Sequence, residues 1–324
     1  MASVSQSSAK KNQDSGVASL NTEQQYRKAD SLGRIMFRRF FKHRMAVIGV
    51  FLLGLIVAYV SIGTIFYSER DANRTSIRQR FEAPSSEFPM GTDEAGRNVL
   101  ARTIYGGQIS LMIGVTAVAI SITLGTAIGL LSGYFGGWID ALLMRFVEAL
   151  LAIPTLVLLL VLSRMLQDIA ADSVTVLGRE LSASVVAIIL IIGMTTWMGL
   201  SRIVRSLVLT LKEQEFVTAA RALGAGNLRI LLTHILPNCI APIVVAATLG
   251  VGSAIIIETA LSFLGFGVMP PTATWGNILN RARISIDTLW WLWVFPGFFI
   301  TLTVLSINFI GDGLRDALDP RSTK

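Results

Sequence analysis

The chain has 324 residues, 52% of them hydrophobic and only 15% charged, against roughly 25% charged in an ordinary soluble domain, so its long uncharged runs place it in the membrane class. One cysteine, Cys239, excludes an intrachain disulfide and a thiolate metal cluster, and with only His43 and His234 an imidazole pair around a metal is not expected. The net charge of +7 is best read from where the charges sit rather than as a sign of a nucleic-acid partner.

Residues 1–30 are rich in Ser, Gln, Asn and Lys and read as a disordered tail, with 1–33 assigned to the cytoplasm. No signal peptide is expected, because the first apolar run begins only after residue 44 and is too long for one. RIMFRRFFKHR, residues 34–44, interleaves basic and aromatic side chains. That pattern can contact RNA, but directly before a membrane run it reads as a helix lying along cytoplasmic headgroups. It forms one unit, 34–68, with a first span at Met45–Ser68.

An extracytoplasmic segment, 69–108, follows. Met90-Gly91-Thr92-Asp93-Glu94-Ala95-Gly96-Arg97-Asn98-Val99 reads as a helix start, with Thr92 or Asp93 capping a short amphipathic helix. Its role is either a plain cap and turn or contact with an external partner. Thr103–Ile139 carries no charge, and a helix is expected at about 109–131, ending in the glycines around Gly133-Tyr134-Phe135-Gly136-Gly137. Gly125, Gly129 and Gly133 recur every four residues, a stripe that lets two membrane helices approach closely.

A third span, 141–163, holds Arg145, Glu148 and Pro154. The charged pair either neutralises itself at the interface or serves as a gate. A polar loop at 164–180 leads to a fourth span, Leu181–Ser201, and a fifth covers Cys239–Ile257. Glu258 closes that run. A carboxylate there faces a bundle interior, a water-filled path or a partner, so it either lines a translocation path or is held in buried hydrogen bonds. Trp290, Trp291 and Trp293 read as an interfacial aromatic belt opening the last span, 288–311. A cytoplasmic tail, 312–324, completes the chain.

Between the fourth and fifth spans lies a polar island, residues 213–237, EQEFVTAARALGAGNLRILLTHILP. It reads as two short helices broken at Gly224-Ala225-Gly226. Phe216, Ala219, Ala220 and Leu223 share one small and apolar face. Asn227 is placed to cap the second helix and Pro237 to close it. By itself this is either an ordinary amphipathic loop or a surface that another protein approaches closely.

Six spans put both termini on one side. That side and the island hold 17 Lys and Arg, against ten on the other side, which sets the termini and the island in the cytoplasm. The chain contains no Gly-Lys pair and hence no phosphate-cradling loop, and two scattered histidines support no hydrolytic triad, so no enzyme is expected. The rival class is an ion-coupled secondary transporter. Such carriers place charged or broken-helix sites near the bilayer midplane, often in repeated halves; here the spans are nearly charge-free and no repeat is visible.

The spacing Ala219-Ala220, Gly224 and Leu236-Pro237 resembles the EAA loop of ATP-binding-cassette importer permeases, with Thr218 at the motif's Glu position and His234 at its Ile position. Residues 90–99 resemble the GTDxxGRD segment of the peptide-type permeases, with Asn98 where Asp is usual. Ser262-Phe263-Leu264-Gly265-Phe266-Gly267, Pro270-Pro271 and Trp275-Gly276 resemble that family's outer loop, and Gly311 to Pro320 its C-terminal signature. The resemblance covers about residues 35–321 and is greatest to the second permease of dipeptide and oligopeptide importers.

It implies an all-α membrane protein with six transmembrane helices and a type I importer permease (MetI-like) core at 109–311. It implies a homologous permease as heterodimer partner, two cytoplasmic ATPases that bind the ATP, an extracytoplasmic substrate-binding protein and a peptide substrate; relatives with similar motifs carry nickel chelates or glutathione. The chain itself then holds no cofactor or metal and contacts membrane lipid. Glu215, Phe216, Ala219, Ala220, Arg221, Leu223 and Gly224 are the expected ATPase contact, while Glu258, Arg145 and Glu148 are the candidates for a path or gate.

Overall fold

The structure, a computed structural model, describes residues 32–167, 173–176, 179–283 and 286–318. The N-terminal tail before residue 32 and the C-terminal tail beyond residue 318 lie outside the described residues. In chain order the elements are α1 (Leu32–Lys42), α2 (Arg44–Phe66), α3 (Glu69–Asn73), α4 (Val99–Phe135), α5 (Gly137–Leu151) and α6 (Thr155–Gln167). A hairpin of β1 (Ser173–Val176) and β2 (Arg179–Ser182) leads to α7 (Ala183–Leu211) and α8 (Glu215–Ala222). Then come α9 (Asn227–Phe263), α10 (Trp275–Ala282) and α11 (Trp291–Leu318).

Five of these, α2, α4, α7, α9 and α11, are long and apolar enough to cross a membrane. The expected third span is not one straight helix. α5 and α6 meet at an angle of 86°, and together they make a sixth candidate. The break falls at Ala152-Ile153-Pro154, where the proline supplies no N–H and pushes Ile153 out of the helical region. The expected polar loop after it contains the antiparallel β1–β2 hairpin, with Val174 opposite Leu181.

Helix ends also differ from the sequence reading. α4 starts at Val99 rather than near 109, because Asn98 is the cap: its Oδ1 accepts from the amides of Leu100 (2.9 Å) and Ala101 (3.3 Å). Thr92 and Asp93 cap no helix. The Thr92 hydroxyl donates to the Gln79 carbonyl and accepts from the Glu82 amide. Asp93 closes a turn onto the amides of Ala95 and Arg97. At 37 residues, α4 is about 55 Å long, well beyond the ~30 Å hydrocarbon core.

Pro237 does not end the island's second helix. From Asn227 the chain runs as one 37-residue helix to Phe263. A π turn over Ile230–Ile235 lets the Leu236 amide reach back to the Leu231 carbonyl, and this wider ladder passes the proline without a break. Asn227 lies inside that helix, and Gly226 occupies the cap position.

The glycine stripe on α4 packs against α7. A Cβ at Gly125 would lie 2.8 Å from the Trp197 carbonyl oxygen, one at Gly129 2.6 Å from that of Ser201, and one at Gly133 2.9 Å from that of Arg205. The two backbones therefore run in contact over two turns. Ile109, Ile113 and Ala117 of α4 meet Ile188, Ile191 and Ile192 of α7 and Ala254 and Leu261 of α9 in the main core. α2 and α11 lie beside this trio, and Tyr59 stacks on Phe299.

Candidate functional site

The loop between α7 and α9 forms one end of the molecule. α8 is an eight-residue helix whose Val217 is fully buried and whose Ala220 is nearly so. Both face a cluster of Val204, Val208, Ile230 and Ile235. Ala220 therefore belongs to the inward face, and Val217, missed from the sequence, is its partner three residues earlier. The outward face carries Phe216, 41% exposed, and Leu223, 89% exposed, with Glu215, Ala219 and Arg221 also exposed. Large apolar side chains this open at a helix tip suit a docking surface better than water.

Gly224 ends α8 in the left-handed region, at φ +83°, and nothing lies within 4 Å of where its Cβ would be. The Ala225 amide donates to the Ala220 carbonyl and the Gly224 amide to that of Arg221, the paired bonds of a glycine-capped helix end. Backbone geometry, rather than crowding, is what calls for glycine at this position.

Behind the loop, Arg205 of α7 grips Asp140 of α5 through two bonds of 2.6 Å, and Ser132 of α4 also donates to Asp140. This fork fixes three helices at one point. The sequence gives it no local signal, since its partners are 65 residues apart. Tyr134 adds a 2.9 Å bond to the Asn227 side chain, tying the end of α4 to the start of α9. Beside the fork, a groove of about 660 Å³ opens between α5 and α7, lined by Met144, Val147, Glu148, Arg202 and Arg205. Arg145 and Glu148 lie 3.7 Å apart with their side chains 85% and 63% exposed, so they pair on the outside of α5 rather than within the bundle.

The opposite end is built from residues 69–98, the 264–274 connection and α10. Asp93, Arg97 and Arg102 are all buried. Asp93 lies 2.7 Å from Arg97 and 3.6 Å from Arg102, and Arg102 also donates to the Ala72 carbonyl. Arg281 of α10 pairs with Glu94. Of the three tryptophans read as an interfacial belt, Trp291 turns inward: it is only 4% exposed, and its indole N–H donates to the Thr92 carbonyl at 3.0 Å. Trp290 and Trp293 stay open, at 44% and 43%.

Glu258, near the end of α9, is fully enclosed. It accepts from Ser262 at 2.7 Å and from Ser110 at 3.3 Å. In this conformation it faces a set of hydroxyls and no open path. The residues singled out from the sequence thus fall into separate places: the α8 tip, the outer face of α5 and the buried far end of α9. Groups of three or more His, Cys, Asp or Glu placed to hold a metal are absent among the described residues.

Comparison with known proteins gives a consistent picture. Residues 125–324 match the family described as the binding-protein-dependent transport system inner membrane component. Residues 31–84 match the N-terminal transmembrane domain of oligopeptide transport permease C. The chain is 40% identical over 299 residues to the dipeptide transport system permease protein DppC of Alkalihalophilus pseudofirmus, covering 92% of this chain and 93% of that one. It is 42% identical over 288 residues to a putative peptide permease protein of Brucella suis, covering 88% and 89%. To the oligopeptide transport system permease protein OppC of Haemophilus influenzae it is 40% identical over 290 residues, covering 88% and 87%.

Proposed function

The chain belongs to the binding-protein-dependent transport system inner membrane components, and from that premise we propose that it passes peptides across the cytoplasmic membrane, with its termini and α8 on the cytoplasmic side. It is a multi-pass permease subunit of an ATP-binding-cassette importer and not an enzyme. ATPase and substrate-binding partners go with that role. The peptide cargo rests on the relatives' names for dipeptide and oligopeptide transport. Nothing found favours nickel chelates, glutathione or an ion-coupled carrier.

One observation carries the mechanism. α8, the exposed tip, packs through Val217 and Ala220 onto the first turns of α9, and α9 continues unbroken to the opposite end. A push on α8 by an ATPase would therefore move a rod that crosses the whole membrane. Phe216, Ala219, Arg221, Leu223 and the Gly224 turn are the residues that would meet that partner, with Glu215 at the helix start and Ala220 holding the helix to the rod. Two ATPases would bind the ATP, leaving this chain without a cofactor. The broad apolar face of α5 and α6, with Trp138, Leu142, Phe146 and Val161 exposed, suits a second permease as heterodimer partner. The excess of Lys and Arg at the α8 side supports the orientation.

The test is cysteine cross-linking of Leu223→Cys to co-expressed ATPase subunits, together with peptide uptake in proteoliposomes. Cross-links that form at Leu223→Cys, and uptake that requires ATP, are expected. Uptake driven by an ion gradient with no ATPase present would remove the reading.

A further inference from the structure

Three hydroxyls surround the Glu258 carboxyl, and each also holds a backbone amide. Ser262 donates to Glu258 Oε1 at 2.7 Å and accepts from the Val268 amide at 3.3 Å. Ser110 of α4 donates to Oε2 at 3.3 Å and accepts from the Trp275 amide at 3.3 Å. The Thr274 hydroxyl also lies beside the carboxyl, and it accepts from the Asn277 amide at 3.1 Å. All three amides belong to one stretch, residues 264–282, which folds back between α4, α9 and α11. The acid thus takes the protons of the Ser262 and Ser110 hydroxyls, turning their lone pairs toward the amides of Val268 and Trp275, and through them it fixes the start of α10.

The seat is close-fitting. A Cβ on Gly276 would come within 2.8 Å of both Thr259 Cα and Ser262 Cβ, and one on Gly107 within 2.6 Å of the Trp275 ring. The Trp275 indole donates to the Thr103 carbonyl at 2.9 Å. Asn277 donates to the carbonyls of Thr272 (2.8 Å) and Val268 (3.3 Å). No part of this involves the α8 end directly. Glu258 nevertheless sits on the same rod, 31 residues beyond Asn227 and so about 46 Å away at ~1.5 Å per residue. Ser110 is on α4 whereas Ser262 is on α9 itself, so a displacement of α9 away from α4 lengthens the Ser110 bond and leaves the Ser262 bond within the helix.

We propose that Glu258 is the positioning residue of a latch, seating the 264–282 segment as an outer plug on the far end of the rod that α8 moves. At rest the hydroxyl knot holds the plug down; displacement of α9 breaks the Ser110 arm and frees it. The charge of Glu258 plays no part in this, and cargo does not touch it. The inference rests on the import reading for its direction, because that reading makes this end the outer one.

The experiment places a reporter cysteine at Ile278, which is 2% exposed, in the assembled importer in right-side-out vesicles. The sole native thiol, Cys239, is buried and contributes little background. A membrane-impermeant maleimide is added outside, and peptide uptake and ATP hydrolysis are measured in parallel. Losing a hydrogen-bonding hub worth ~1.4 kcal/mol or more opens a local equilibrium about tenfold. Glu258→Ala is therefore expected to label at least about tenfold faster and to hydrolyse ATP while losing uptake.

Glu258→Gln keeps the shape and one acceptor oxygen, and its amide N–H can donate to the other hydroxyl where the carboxyl accepted, so it should label and transport closer to the unsubstituted chain than to Glu258→Ala. Ser110→Ala, which cuts one arm, should fall between the two, and it decides the matter if Glu258→Ala fails to assemble. Labelling of Glu258→Ala or Ser110→Ala at the unsubstituted rate overturns the latch. So does Glu258→Gln behaving as badly as Glu258→Ala, since a side chain of the same shape that still bonds the hydroxyls should hold the segment. Absence of ATP-dependent uptake in the unsubstituted chain would instead defeat the import reading, with the labelling results still judging the knot.

Discussion

Two glycines on the same pair of helices should respond to alanine in opposite ways. Gly129 of α4 sits where an added Cβ would be 2.6 Å from the Ser201 carbonyl oxygen and 2.7 Å from Val204 Cβ. Ordinary contacts lie near 3.4 Å or beyond, so α4 and α7 would have to part by several tenths of an ångström. Such overpacking typically costs about 1–3 kcal/mol. Gly199 of α7 has nothing within 4 Å of its Cβ position. Both substitutions gain the same ~1 kcal/mol of helix propensity, so the difference between them isolates the packing cost. Gly199→Ala should be neutral or stabilising, and Gly129→Ala should fall below it by about 1–3 kcal/mol. Unfolding midpoints in a mild detergent series would read this directly. Equal midpoints for the two variants would show that the α4–α7 backbones are not in contact, and the glycine stripe would lose its explanation.

At the α8 tip, any side chain at Gly224 must adopt a left-handed backbone at a cost of roughly 1–2 kcal/mol, less for Asn. Peptide uptake per ATP hydrolysed should therefore fall in the order Gly, Asn, Val at position 224, with the protein still inserted; equal coupling in all three would count against this. Asp140→Ala should lower the unfolding midpoint by an amount matching ~1.5–3 kcal/mol for lost bonds to a charged group. Arg205→Lys should not be tolerated as a conservative change, since lysine cannot make the fork; full stability of Arg205→Lys would refute that. At the other end, Asp93→Asn leaves Arg97 and Arg102 buried with less compensation and should cost about 3–5 kcal/mol. It is expected to appear as poor accumulation in the membrane, partly restored by adding Arg102→Met, and a fully accumulating single variant would disprove the account.

Much of the site was legible because its signals are local. The break at Gly224-Ala225-Gly226 is visible in sequence, since few other residues accept a left-handed turn, and the exposed Phe216 and Leu223 share the expected face. Assigning Ala220 to that face failed for a simple reason. An eight-residue helix offers two overlapping stripes, one through Phe216 and Ala219 and one through Val217 and Ala220, and periodicity alone does not say which meets the bundle. Pro237 and Thr92 misled in a similar way. A proline is a usual helix stop, but a π turn upstream carries the helix through it. Thr92 has the chemistry of a cap, but its hydroxyl is used across the 79–82 turn while Asn98 takes the helix start.

The sequence by itself determined that this chain lives in a membrane, roughly how many apolar segments it has, and where one loop exposes small and apolar residues. These are sums over neighbours along the chain, and the bilayer and the helix period act on such sums directly. Only the tertiary structure decided that Asp140 belongs to Arg205, that Trp291 turns inward, that α5 and α6 bend apart by 86°, and that Glu258 is shut in by hydroxyls from three segments. Each of those is a meeting of groups far apart in sequence. A lone carboxylate in an apolar run announces that it must be satisfied, but only packing selects the partners.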